Sequence, residues 1–290
     1  MSLTVVNYFN VSHLVSQFAV KKTVGVVPAT DVLFLSDQIP TDYDGKYKFI
    51  QIPGYQSDVE SIKNYVDFMV KGAADVIDTE FMLIVQHDGM ATNKHYWTDE
   101  FFEYDYIGPL ALLNSPAATD GGKYSYANHN IHPDAKGWYN GNGGFSLRSK
   151  KLLKAIASDD RIQGNIHMVN THDVTKRGTI HAEDVSICLV NKKILERDHG
   201  IKFAPFDVCM RFGGDDVVTF GDSLGFHGTH QYPYFLSQDE CIFVLSNIEH
   251  RWLQLKKLKA RNYYRLMGAL VSSRYNQVIE YLNDTYGPTN

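Results

Sequence analysis

The stretch "FMLIVQHDG", Phe81 to Gly89, decides how this chain folds. Its first five residues are apolar without alternation, the pattern of a strand covered by helices on both faces; a strand with one wet face alternates. At Gln86 the run turns abruptly polar, and in open α/β sheets ligands bind at the carboxyl ends of the strands. The same tetrapeptide, Gln86 to Gly89, also reads as a plain strand-to-loop turn in which Asp88 and Gly89 only supply turn geometry.

Outward from this stretch, "LTVVNYF", "VLFLSD" and "YKFIQIP" are further runs of β-branched and aromatic residues, with room for helices between them. That alternation predicts βαβ units, hence an α/β fold with a mostly parallel central sheet flanked by helices. The clearest helix is predicted to begin at Ser57, in a capping-box pattern with Glu60, with Val59, Ile62, Val66, Met69 and Ala73 on one face. From Trp97 to about Tyr139 the sequence is aromatic and loop-rich, and a long loop in a compact domain is usually functional or mobile.

Composition narrows the class. A chain of 290 residues with 44% hydrophobic and 21% charged residues has enough apolar material for a substantial core, which excludes a disordered protein. The formal charge of -5 argues against a generally basic nucleic-acid binder, though a local patch can hide within it. Cys188, Cys209 and Cys241 are far apart and not in zinc spacing, so buried thiols in a reducing compartment are expected. No segment approaches the roughly 18 apolar residues that span a bilayer. The opening "MSLTVVNYFN" has neither a charged leader nor a small-residue cleavage site, and a cytoplasmic location is expected.

Three constellations carry candidate chemistry. In "GWYNGNGGFSLRS", Gly137 to Ser149, "FSLRS" alternates as a half-buried strand, and the following "KKLLKAIAS" reads as a helix with Leu152, Leu153 and Ile156 inward. Gly143 and Gly144 thus stand at a strand entrance, where glycine allows close backbone approach or positive φ, unless the stretch is an ordinary hairpin turn. In "HAEDVSICLVNKKILERDHG" a helix has Glu183 and Asp184 in its first turn and Gly200 past its end; the acids are dipole partners or a site for an acceptor hydroxyl and its proton. In "SLGFHGTH", Ser223 to His230, His227 lies in a loop as a structural group, a metal ligand or a phosphate contact.

The order of these pieces, a strand ending in a polar Asp motif, then "GNGGFSLRS", an "EDV" helix start and a late "GFHG", resembles the GT-A glycosyltransferases. The match is closest to a bacterial and viral group of glycosyltransferase-like domains and spans about Leu3 to His230, with "NGGFSLRS" and "EDVSIC" its most specific parts. The resemblance implies a GT-A (Rossmann-like) fold and transfer of a sugar from a nucleotide-diphosphate donor to a hydroxyl. It also implies a divalent metal, manganese or magnesium, on the diphosphate.

By position, Asp88 corresponds to a carboxylate of the Asp-x-Asp motif and His227 to the late histidine of the metal site. His87 and Gly89 flank Asp88, so the second carboxylate of that motif is absent here. The resemblance further implies that Asn142, Gly143 and Gly144 bring the backbone against the donor sugar. Gln86 and Asp88 would also meet the donor, and Asp184, or Glu183 beside it, would be the general base, with inversion at the anomeric carbon. Asp37, in "LSD", would reach the base or ribose of the nucleotide or be a plain loop carboxylate.

The segment His250 to Arg274 carries Arg251, Lys256, Lys257, Lys259, Arg261, Arg265 and Arg274, with Trp252, Tyr263 and Tyr264 and no acidic residue. It is either a helical face packed by Leu253, Leu258 and Leu266, or a contact for phosphates or an anionic membrane surface. The expected organisation is a catalytic domain at 1–240 and a basic helical extension at 241–290. Three functions follow: a glycosyltransferase acting on a glycan or lipid-linked glycan, a viral enzyme glycosylating hydroxymethylated pyrimidines in DNA, and a non-catalytic nucleotide-sugar-binding module.

Overall fold

A computed structural model of the chain describes residues 1–9, 12–41, 45–54, 58–112, 138–164, 183–248 and 261–286. Its strands in chain order are β1 (Leu3–Phe9), β2 (Asp31–Ser36), β3 (Lys48–Gln51), β4 (Phe81–Val85), β5 (Gly89–Ala91), β6 (Tyr106–Ile107), β7 (Leu110–Leu112), β8 (Trp138–Asn140), β9 (Ser146–Ser149), β10 (Gly213–Gly214) and β11 (Gly225–His227). Six of them form the central sheet in the order β3-β2-β1-β4-β9-β6. The pairs β3/β2, β2/β1 and β1/β4 are parallel, and β9 alone runs against its neighbours. The fold is therefore α/β with a mostly parallel sheet, as the sequence predicts.

The unbroken apolar run of β4 is explained by what lies on each side. Leu83 and Val85 join Val5, Phe34, Val15 and Ala19 on the face covered by the helix His13–Val24. Met82 and Ile84 join Val6, Leu33, Met69 and Ala73 on the opposite face. Fully burying one such side chain contributes about 1.5–3 kcal/mol, and the polar residues buried beside them are hydrogen-bonded, Asn7 to Val85 O at 2.7 Å and Thr4 to the Thr79 hydroxyl at 2.7 Å. The edge strand β3 is largely exposed, and its Lys48 reaches Asp31 at 2.8 Å and Asp78 at 3.1 Å.

The helix predicted around Ser57 is described from Asp58 as Asp58–Asp67, continued by a π turn Phe68–Gly72 and Ala73–Val76. Val66, Met69 and Ala73 are buried as expected. Ser57 and the side chains of Val59 and Ile62 lie outside the described residues, as do residues 113–137 of the aromatic stretch. Leu152, Leu153 and Ile156 point inward from the helix Lys150–Ser158, which is capped by Ser149 Oγ accepting from Leu152 N–H at 3.0 Å.

Two local expectations are corrected. β9 is buried along its whole length rather than half-buried, and Arg148 within it is fully buried. The alternation misleads because the outer face of this strand is covered too. The long helix from the "EDV" start is broken into Glu183–Val185, a π turn Ser186–Val190 and Lys192–His199. Gly200 ends it in the left-handed region at φ 60°, donating to Leu195 O.

All three cysteines are free and buried. Among the described residues no helix is long and apolar enough to cross a membrane. Leu266, Leu270, Val278 and Leu282, from the helices Arg261–Ser272 and Asn276–Tyr286, belong to the same apolar cluster as Val244 and Leu245 of the helix Gln238–Asn247. Residue 240, where the sequence places a boundary, falls within that last helix. Of the basic segment, residues 250–260, with Arg251, Trp252, Leu253 and Lys256, and the side chains of Arg261, Tyr263 and Tyr264 lie outside the description.

Candidate active site

At the carboxyl end of β4 the chain reverses within two residues. Gln86 N–H donates to Gly89 O at 2.9 Å and Gly89 N–H to Gln86 O at 3.1 Å, leaving His87 and Asp88 at the tip. β5 then pairs antiparallel with β11, placing Gly89 opposite His227, and Gly228 N–H donates to Asp88 O at 2.7 Å. His227, expected in a loop, is thus the last residue of a short strand, and the correction has a physical reason: three residues become a strand only through a distant partner.

This pairing brings Asp88 Oδ1 to 3.6 Å from His227 Nε2, with His87 Nε2 3.9 Å away. Burial opposes the charge on Asp88, but His87 and His227 outweigh it and hold the carboxyl below its ordinary value. Burial likewise opposes the charge on His227, yet Asp88, Asp215 and Asp184 push it up to about 9. At neutral pH the two form a partly buried ion pair.

The glycine loop closes over this pair. Asn142, at φ 106°, carries the positive φ, which falls on neither Gly143 nor Gly144. Its side chain fixes both sides: Oδ1 accepts from Gly144 N–H at 3.0 Å, and Nδ2 donates to Asp215 Oδ2 at 2.8 Å. Close approach is the reason for the glycines. A Cβ on Gly143 would collide with Glu183 Oε1, and one on Gly144 with His227 Nε2 and Gln86 Oε1. The space that a side chain would take is therefore filled by other site residues.

Beneath the loop the two acids divide their work. Glu183 Oε1 accepts from Arg148 at 2.7 Å and from the Tyr65 hydroxyl at 3.2 Å, while Arg148 stacks 5.2 Å from the Tyr106 ring centroid. Both members of the ion pair are buried, so Glu183 is bound as a counter-charge. Asp184 accepts from Val185 N–H at 2.7 Å and from Gly143 N–H at 3.1 Å. Burial, followed by the charge of Glu183, pushes its carboxyl up to about 6 against those hydrogen bonds and Arg148. Its surroundings thus drive Asp184 toward the protonated form.

The structure thus gathers Gln86, Asp88, Asn142, Gly143, Gly144, Glu183, Asp184 and His227. Asp37 stands apart from these contacts, just beyond β2, 2.9 Å from His13 Nε2 and packed against Gly54. Asp215, Arg148 and Tyr65 belong to the site and were not singled out in the sequence. Arg148, at a polar position of the alternating "FSLRS", gave no signal of its own, and Asp215, in "GGDD", carried only its glycines.

The sequence model of one family, described as "Protein of unknown function (DUF5672)", matches residues 30–227. The chain belongs to this family. The DUF5672 region contains every candidate residue from Asp37 to His227. No curated protein matches the chain. Among solved structures, a glycosyltransferase involved in glycosylation of the major capsid of PBCV-1 is similar at 11% identity over 78% of this chain and 94% of that one, with a TM-score of 0.39. The mannosyltransferase PcManGT of Pyrobaculum calidifontis, in complex with GDP-Man and Mn2+, is similar at 9% identity over 98% and 79%, with a TM-score of 0.36. The apo glycosyltransferase GlyE of Streptococcus pneumoniae TIGR4 is similar at 14% identity over 71% of this chain, which spans 45% of GlyE, with a TM-score of 0.35. Likenesses of this size bear on neither substrate nor chemistry, so the functional case rests on the residues.

The sequence resemblance implies a divalent cation at Asp88 and His227. Among the described residues no group of three or more His, Cys, Asp and Glu side chains forms a metal cage. Asp88 Oδ1 is nevertheless a buried carboxylate oxygen without a hydrogen-bond partner, facing an imidazole nitrogen. Such an orphaned, ionised oxygen, beside an imidazole that would give up its proton on binding, fits a manganese or magnesium ion that takes its other ligands from phosphate oxygens and water.

Proposed function

We propose that this chain is a nucleotide-sugar-dependent glycosyltransferase. One observation carries the reading: two carboxyls meet at one loop with opposite tuning, Asp88 held ionised and Asp184 pushed up to about 6. Pairs driven apart in this way mark acid-base assignments. Asp184 takes the proton of the acceptor hydroxyl, whose oxygen bonds to the anomeric carbon as the bond to the diphosphate breaks and the electron pair leaves with the nucleoside diphosphate. A single base opposite the leaving group gives inversion. A cation held by Asp88 and His227 would neutralise charge on the diphosphate.

Gln86, Asn142, Gly143 and Gly144 form the wall that meets the donor, with Asp37 toward the nucleoside. The acceptor is a glycan or lipid-linked glycan, and the enzyme works in the cytoplasm as a catalytic domain at 1–240 with a helical extension at 241–290. Modification of DNA is less favoured, because Arg265, one of the basic residues that would track phosphates, is spent on Asp216 at 3.2 Å. A binding module without activity would have no use for the tuned Asp184.

The test is calorimetry of nucleotide-diphosphate sugars with and without manganese. A donor should bind, Asp88→Ala should abolish that binding, and Asp184→Asn should keep it while transfer falls roughly a hundredfold, the scale for losing a general base. Unchanged donor affinity in a folded Asp88→Ala protein would refute the assignment.

A further inference from the structure

A group outside the glycine loop connects everything that has to be aimed. The Asp215 carboxylate faces two site residues, accepting from Asn142 Nδ2 at 2.8 Å and lying 3.9 Å from His227 Nδ1. The latter is an ion-pair distance, longer than a hydrogen bond. Its backbone carbonyl is held from three directions, by Gln231 Nε2 at 2.7 Å, Arg265 at 3.0 Å and His230 Nε2 at 3.1 Å. Arg265 comes from the helix Arg261–Ser272 and grips Asp216 as well, at 3.2 Å.

We propose that Asp215 is the positioning residue of this site, anchored by Arg265, and that it aims Asn142 and His227 together. The motive is in the strain. A non-glycine residue at φ 106° persists only where its surroundings impose it, and the imposing contacts here are Gly144 N–H and Asp215. His227 has Asp88 on its Nε2 side at 3.6 Å and Asp215 on its Nδ1 side at 3.9 Å, so the Asp215 carboxylate acts on the ring by charge, from the side on which an outer carboxylate orients a metal-binding imidazole. The helix Arg261–Ser272 thereby becomes a strut of the site. This rests on the reading of Asp88 and His227 as a cation site, and the experiment separates the two.

Manganese binding is measured by electron paramagnetic resonance, and amide and imidazole signals by NMR, on the full chain carrying Asp215→Asn or Arg265→Ala, each also in a His227→Ala background. Asp215→Asn should weaken manganese roughly 10- to 100-fold, the usual loss for an outer-sphere partner. In the His227→Ala background the same change should have little further effect, because its route is gone. Both variants should shift the amides of Gly143 and Gly144 and the ring of His227. A manganese loss of full size without His227, or unmoved Gly143, Gly144 and His227 signals in Asp215→Asn, overturns the proposal. If the wild-type protein binds no manganese yet those signals move in both variants, the cation reading fails and the positioning role stands.

Discussion

Asp184→Asn tests the tuning on which the functional reading depends, through stability rather than activity. The carboxyl is pushed from its ordinary 3.8 up to about 6. Ionising it in the folded protein therefore costs about 3 kcal/mol more than in the unfolded chain. The sign follows: the folded state holds this proton more tightly, so the contribution is fully present below pH 3.8 and is lost as pH rises through 6. Asparagine carries no such dependence. It pays instead a pH-independent penalty, since its amide nitrogen must face Val185 N–H or Gly143 N–H, where a carboxylate oxygen accepts. Urea unfolding of both proteins between pH 4.5 and 7.5 isolates the difference. The stability of Asp184→Asn relative to wild type should rise by about 2 kcal/mol across that range, most of it before pH 6.5. A difference that is flat with pH, or falls, refutes the perturbed carboxyl and with it the choice of Asp184 as base.

Glu183→Gln should destabilise the protein by about 3–5 kcal/mol in urea titration, because it leaves Arg148 buried without its counter-charge; a loss under about 1 kcal/mol would mean that the pair is dispensable. Gly144→Val should cost about 1–3 kcal/mol by overpacking against His227 and Gln86, with no contribution from backbone strain because φ is ordinary there. Unchanged thermal melting of Gly144→Val would show that the loop yields freely and that close approach is not why the glycine stands there.

The sheet was legible because its signal is local. Five apolar residues at Phe81–Val85 mean two covered faces wherever the strand lies, and Gly200 is a helix end wherever the helix packs. The helix Lys150–Ser158 likewise declares its inner face through Leu152, Leu153 and Ile156. β9 reads as half-buried in the sequence because alternation tells which residues share a face and not what covers it. β11 was unreadable for a related reason: Gly225, Phe226 and His227 have no strand signal of their own and are extended because β5 pairs with them. The split between Glu183 and Asp184 depends on an arginine 35 positions earlier, which no pattern within the "EDV" turn encodes.

The tip at His87 and Asp88 is also tied to the far end of the fold by the Tyr232 hydroxyl, which donates to His87 O at 3.1 Å across 145 positions of sequence. Contacts of that span are closed late, since the entropy of bringing the ends together must be met before they reward it. On the ribosome β4 and its turn emerge long before β11, so the half of the site carried by Asp88 waits, ionisable and unpartnered by His227, until most of the chain has been made. The order of synthesis thus leaves Asp88 without His227 until residue 227 has been made, and it is the pairing of β5 with β11 that brings the two together.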